Sequence, residues 1–380
     1  MDYRLIEDPP SLESARPLVS SATRIALDCE AAGFHRYTDR LCLLQLSTDE
    51  GTLLLDPFEV DPEELLRAPL ESRDVPVVMH GADFDIRLLQ RDLGLRVRSL
   101  FDTQIAASFL GEASVGLAAL LEKHVGVKLS KKHQRADWAQ RPLPVELLSY
   151  AAADTRHLLK LAEGFELQLR ELGRLDWAEE EFRLLEEIRW EEDATDPLMR
   201  VKGAHHLGPR AATALREALL WRDEIAREKD RAPFRVVGDA TLLAAVLERP
   251  ATIDELASLK GMSPRMAGAK GRELLSRLRR VDALAEDSLQ PYPNSVRSGV
   301  GRPSPEEENQ AERLRSLRTS RAEELGIDRG VLLSNATIGE IVRAKPRSTE
   351  ELRTIDGVRV WQAELLGGDI VAILDGRKNT

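Results

Sequence analysis

The second half of this chain repeats itself without a gap. At an offset of 96 residues, Asp239-Ala240-Thr241-Leu242 falls over Asn335-Ala336-Thr337-Ile338, Pro250 over Pro346, and Glu255-Leu256 over Glu351-Leu352. Gly261 matches Gly357, Ala267 matches Ala363, Gly271 matches Gly367 and Leu278 matches Leu374. Upstream, Arg222 lies over Arg318 and Ala226 over Ala322. Trp221 lies over Leu317, so Trp221 is expected in the core. The segment reads as helical throughout. Two copies of one small all-α domain are therefore expected, at 210–285 and 309–380. The stretch 286–308 between them is rich in Pro, Ser and Gly and reads as a linker. A helical connector is expected at 176–209.

The first 175 residues have a different grammar. TRIALDCEA, LCLLQLST and GTLLLDP are apolar runs separated by short turns, as in an antiparallel meander. Val77-Val78-Met79-His80 then reads as a buried strand, and DFDIRLLQRDLG as a helix ending at Gly94. Leu100-Phe101-Asp102 is a short strand before the helix TQIAASFL, and Gly116-Leu117 marks another helix start. Pro144 opens a longer helical segment through VELLSYAAADTRHLLKLAEGFELQLREL. Strands followed by strands alternating with helices indicate an α/β domain with a mixed sheet and flanking helices.

Carboxylates recur at chemically suggestive spacings in this domain. Asp28 and Glu30 lie two apart at the end of the strand Ile25-Ala26-Leu27, so both point to one face. Tyr150 and Asp154 lie four apart on a helix and share a face. Asp85 opens the helix after the strand VVMHG. Buried together, such carboxylates repel one another. Divalent Mg²⁺ or Mn²⁺ offsets that cost, and two such ions suit in-line phosphoryl displacement. With its ordinary pKa of about 10, Tyr150 would orient a water rather than act as sole base. Cys29, between the two acids, points to the opposite face and reads as core.

The segments IALDCEAAGFHRYTDRLCLLQLST, VVMHGADFDIRLL and WAQRPLPVELLSYAAADTRHLL resemble the three exonuclease motifs of the DEDD superfamily, tyrosine subclass. Within it, the similarity is to the ribonuclease D family. The helical repeats resemble HRDC domains, chiefly through Trp221-Arg222-Asp223-Glu224-Ile225-Ala226 and Thr252-Ile253-Asp254-Glu255-Leu256. The resemblance implies an RNase H-like exonuclease domain and 3′–5′ removal of nucleotides from RNA, releasing 5′-monophosphates. It implies two divalent metal ions, RNA with a free 3′ end as partner, and tRNA precursors as substrate. Asp28, Glu30 and Asp154 would hold the catalytic ion, and Asp28 would bridge to a second ion supported by Asp85. Tyr150 would orient the attacking water. HGADFDIRLL offers both Asp83 and Asp85, and the family pattern, with the acid directly after the aromatic, favours Asp85. Asp102 recurs in such proteins and is read as a structural or supporting residue.

RNA contacts are expected from Lys131, Lys132 and Arg135 in a basic stretch, with a solvated loop as the alternative. Trp138 could stack on a base or belong to the core, and Arg141 accompanies it. Phe34, His80 and Phe84 flank the acidic motifs and could line the pocket for the 3′ terminus. Arg265, Lys270, Arg272, Arg277, Arg279 and Arg280 make a basic stretch in the first repeat, either an auxiliary RNA contact or an ordinary charged helix face.

The formal net charge of −11 does not by itself exclude nucleic acid, because binding follows local charge. The two cysteines, Cys29 and Cys42, form no C-x-x-C pair, which disfavours a zinc site or disulfide framework. No basic segment followed by an apolar run opens the chain, and no run is long enough to span a bilayer. A cytoplasmic enzyme without membrane association or obligate protein partner is expected. A DNA-directed 3′–5′ exonuclease and a nucleic-acid-binding scaffold with little activity are the competing readings.

Overall fold

The computed structural model describes residues 3–130, 132–293 and 303–376. It divides into two compact units: residues 1–30, 41–190 and 301–380 form one, and residues 31–40 and 191–300 the other.

The first unit is built on a six-stranded mixed sheet, in the order β1-β4-β3-β2-β5-β6. The strands are β1 (Arg4–Ile6), β2 (Ile25–Ala31), β3 (Leu41–Thr48), β4 (Gly51–Leu55), β5 (Val77–Met79) and β6 (Leu100–Asp102). β3 and β4 pair antiparallel, from Leu44↔Leu55 to Thr48↔Gly51. β2 pairs parallel with β5, and β5 with β6. β3 is buried from Leu41 to Ser47 without alternation, as expected of a strand covered on both faces. The helices are α1 (Pro9–Ser20), α2 (Glu63–Glu71), α3 (Asp83–Leu93), α4 (Thr103–Phe109), α5 (Leu117–His124), α6 (Val145–Arg156), α7 (Leu158–Glu171) and α8 (Leu175–Glu186). α3 ends at Gly94 in the left-handed conformation, φ 63°, as its sequence predicts.

The structure adds to the expected elements in two places. The sheet gains a sixth strand, β1, paired parallel with β4 of the meander; three residues are too short to show a period. The helical segment after Pro144 comprises two helices, α6 and α7, separated at His157, whose N–H bonds Thr155 O instead of continuing the ladder.

The repeats match element for element. The first comprises α9 (Pro209–Glu228), α10 (Pro233–Val236), α11 (Asp239–Glu248), α12 (Ile253–Ser258) and α13 (Pro264–Asp282). The second comprises α14 (Pro305–Leu325), α15 (Arg329–Leu332), α16 (Asn335–Ala344), α17 (Thr349–Arg353) and α18 (Val360–Leu374). Every helix start is displaced by the same 96 positions. Arg222 Nη1 donates to Val237 O at 3.0 Å and Asp239 Oδ1 at 2.5 Å. Its counterpart Arg318 donates to Leu333 O at 2.9 Å and Asn335 Oδ1 at 2.8 Å. Thr252 caps α12 through Glu255 N, and Ser348 caps α17 through Glu351 N. Trp221 is fully buried in the first repeat's core, as expected.

In the first unit the second repeat packs on the sheet domain. Trp361 stacks on Trp177 at 4.8 Å between centroids and meets Phe109 edge-on at 5.4 Å. Arg174 donates to Phe109 O at 2.7 Å and to Leu325 O at 2.6 Å. In the second unit, segment 31–40 packs on the first repeat. Phe34 lies 5.4 Å from Phe234, and the Arg235 guanidinium sits 4.5 Å over the Phe34 ring. Among the described residues no helix is long and apolar enough to cross a membrane.

Candidate active site

β2 carries Asp28 and Glu30, and the neighbouring elements supply the remaining acids. One carboxylate oxygen each from Asp28, Glu30 and Asp154 lie within 4.8 Å of one another. Asp154 comes from α6, one turn after Tyr150, whose hydroxyl donates a hydrogen bond to the Asp154 carboxylate. Asp85 lies in the first turn of α3, is only 7% exposed, and feels the charge of Asp28. It stands outside the tight threefold set. Asp83, its rival, is turned outward and pairs with Arg87 at 3.1 Å.

The electrostatics record a cluster that resists ionisation. Burial pushes Asp28 up to about 7. Burial, then Asp28, Asp154 and Asp85, push Glu30 up to about 10. Burial and Asp28 push Asp154 up to about 8, against the opposing hydrogen bond from Tyr150. Asp85 is raised well above the usual carboxylate range by burial, Asp28 and Asp102. Asp28, Glu30 and Asp154 are partly exposed and Asp85 is buried, yet surrounding protein atoms exclude most water. Oxygen-only ligands at such spacing, each destabilised as an anion, fit a divalent cation. Tyr150 is raised above its ordinary value by burial and by Asp154, Glu30 and Asp28, so it stays protonated near neutrality. Cys29 is buried and its thiol is pushed up by burial and the surrounding acids, which fits packing rather than nucleophilic chemistry.

The residues expected around the site divide. Phe84 is half exposed beside Asp85. His80 is partly buried, with Nδ1 at 2.9 Å from Thr103 Oγ1, and burial lowers its pKa. Lys132 and Arg135 are exposed, while Lys131 lies outside the described residues. Phe34 belongs to the segment packed with the first repeat. Two expected RNA contacts are corrected. Trp138 is 2% exposed and cannot stack on a base; its ring lies 6.1 Å from that of Tyr150 and backs it. Arg141 holds Asp56 with Nε at 2.6 Å and Nη2 at 2.8 Å. It also donates to Trp138 O, Gln140 O and Cys42 O, and lies over Phe58. All five guanidinium donors are thereby spent inside the fold, and none remains for a phosphate. One neighbour was not singled out in the sequence: His133 meets the Tyr150 ring edge-on at 5.8 Å. Only its place in the basic stretch before the third motif hinted at it.

A buried acidic cluster on a mixed sheet, with a tyrosine one turn before its last acid, defines a nuclease of the tyrosine-containing type. The family described as 3′-5′ exonuclease matches residues 3–170, and the HRDC domain matches residues 212–278 and 307–374. Ribonuclease D of Cronobacter turicensis is 30% identical over 92% of this chain and 94% of its own length. The crystal structure of Escherichia coli RNase D superposes with a TM-score of 0.71 at 28% identity, covering all of both chains. The exosome exonuclease RRP6 of Saccharomyces cerevisiae is 30% identical over 90% of this chain and 48% of its own. The chain belongs to the ribonuclease D family and is a 3′–5′ exoribonuclease with two HRDC domains. Its exonuclease class depends on divalent metal ions.

Proposed function

We propose that the chain shortens RNA from its 3′ end by hydrolysis with two divalent ions, releasing 5′-monophosphates, and that tRNA precursors are among its substrates. The convergence of Asp28, Glu30 and Asp154 oxygens within 4.8 Å carries the reading. These three would hold one ion, and Asp28 with Asp85, in the first turn of α3, would support a second. When bound, such ions would supply charge stabilisation for the attacking and the leaving oxygen. The chain's own residues do the rest. Tyr150, protonated and hydrogen-bonded to Asp154, turns its remaining lone pairs toward a water and orients it for in-line attack. Trp138 and His133 both pack against the phenol ring. Exposed Phe84 and partly buried His80 flank the acids and suit the terminal nucleotide. The tRNA assignment follows the family resemblance, and E. coli RNase D is described as involved in structured RNA processing.

The test compares the native chain with Asp28→Asn on 3′-labelled tRNA precursor and on single-stranded DNA, with Mg²⁺, Mn²⁺ or chelator. Metal-dependent loss of 3′ nucleotides from the RNA, absent in the variant, is expected. Equal decay by both proteins would sink the site assignment. Faster digestion of DNA than of RNA would replace the substrate.

A further inference from the structure

We infer that Asp102 is a positioning residue for the metal-binding acid Asp85: its single buried carboxylate gathers the backbone N–H groups that set where α3 begins. This rests on the reading of the acidic cluster as a metal site.

Asp102 is fully buried at the end of β6, opposite Met79 in the parallel pairing of β5 and β6. One oxygen accepts from Gln104 N at 2.8 Å and Ile105 N at 3.1 Å, capping α4. The carboxylate also accepts from Gly81 N at 3.2 Å and Ala82 N at 2.8 Å, in the elbow between β5 and α3. That elbow needs the help. Ala82 is the N-cap of α3 and has no side chain to cap with, and Gly81 takes a left-handed φ of 70°. Asp85 sits three residues past this cap. The adjacent Thr103 repeats the tie, with Oγ1 donating to Met79 O at 3.0 Å and touching His80. One strand end therefore fixes the start of two helices, and with one of them the placing of Asp85 and His80.

A carboxylate suits this place because both oxygens only accept. In Asp102→Asn one acceptor becomes an NH₂ that must face backbone N–H donors. The elbow then shifts or opens, and Asp85 moves with it. Residues that orient metal ligands typically cost about 10–100-fold in metal affinity when replaced.

The experiment is Mn²⁺ binding, followed by the paramagnetic resonance of the free ion, on native protein, Asp28→Asn, Asp102→Asn and Thr103→Val, with thermal unfolding of each. Native protein should bind Mn²⁺ and Asp28→Asn should lose most of it. Asp102→Asn should bind the more weakly held ion roughly 10–100-fold less tightly, and Thr103→Val should show a smaller loss in the same direction. Folded Asp102→Asn with native affinity would overturn the inference while leaving the metal site intact. If Asp102→Asn does not fold, unchanged affinity in Thr103→Val overturns it instead. No Mn²⁺ binding by the native protein would fell the metal site itself, and the inference with it.

Discussion

At the corner after its first long helix, the first repeat carries Asp230 and the second carries Gly326, 96 positions later, both in the left-handed region. Asp230 accepts from Tyr37 N at 3.2 Å and pairs with Arg36. Around it, Asp223 and Arg227 hold the Tyr37 hydroxyl, and Ala232 N donates to His35 O at 3.1 Å. The first repeat thus grips segment 31–40 with charge and hydrogen bonds. Gly326 presents a bare carbonyl to Gly111, so close that a Cβ on Gly111 would lie 1.9 Å from Gly326 O. Next to it stands the Trp361 stack. The matching position in the first repeat is Arg265, which is exposed. One backbone thus serves two kinds of attachment, and the side chains at corresponding positions decide which. Conserving a fold constrains its core, here Arg222 and Arg318 with their partners, and leaves its outer positions free to specialise.

The largest expected effect tests that difference directly. Trp361 is 3% exposed, and truncating a buried aromatic costs roughly 3–5 kcal/mol. Trp361→Ala should lower the urea midpoint of unfolding and release hydrogen-exchange protection in α18 and α8 together. Arg265→Ala, its counterpart, should stay within about 0.5 kcal/mol of the native protein. Comparable losses in both would mean that the second repeat is not anchored through this stack.

The repeats were legible in the sequence because a buried helical core demands similar residues at fixed spacing. Every helix start obeys the 96-residue offset. Asp28 with Glu30, and Tyr150 with Asp154, were legible because strand and helix periods put each pair on one face. Side-chain destinations set by distant chain were not. Arg141 is claimed by Asp56, 85 residues earlier, and nothing local distinguishes that from an arginine waiting for RNA. Trp138 likewise left core and stacking open until its burial closed the matter. Asp102 showed its acid but not the elbow it reaches, because Gly81 and Ala82 meet it only through sheet pairing. The attachments of the two repeats were invisible for the same reason.

Metal binding sharpens the comparison at intermediate size. Mn²⁺ at about a hundredfold excess over its dissociation constant should stabilise the sheet domain by about 2.7 kcal/mol. Because the second repeat belongs to the same compact unit, protection should rise in α18 and stay unchanged in α13. Acidity gives the same contrast. Asp28, Asp154 and Glu30 have folded values raised to about 7, 8 and 10 from ordinary values of 3.8, 3.8 and 4.5. Raised values mean that the fold prefers the protonated acids. Their contribution is full below the unfolded values and is lost as pH climbs through the folded ones. Metal-free protein should therefore lose stability in this unit as pH rises from about 4 to about 10, and metal should restore it with release of protons. Equal pH sensitivity in α13 and α18 would contradict the division.

The smallest effect concerns how the last helix of each repeat is capped. In the first repeat Ser263 accepts from Met266 N at 3.2 Å, so α13 caps itself. In the second, Arg359 stands at that position, and Glu180 of α8 accepts from Val360 N at 2.8 Å and Trp361 N at 3.2 Å. The second repeat thus borrows its cap from the domain it packs on, and Arg359 pairs with Glu181 at 2.8 Å beside it. Loss of a cap costs roughly 0.5–2 kcal/mol, typically about 1. Ser263→Ala should loosen the first turn of α13 alone. Glu180→Ala should loosen α18 and its packing on α8 by a similar amount. Arg359→Ser on the Glu180→Ala background supplies a cap of the first repeat's kind and should recover protection in the first turn of α18. Packing on α8 should not recover, because the serine cannot reach across. Full recovery of both would show that Glu180 matters as a cap and not as an attachment.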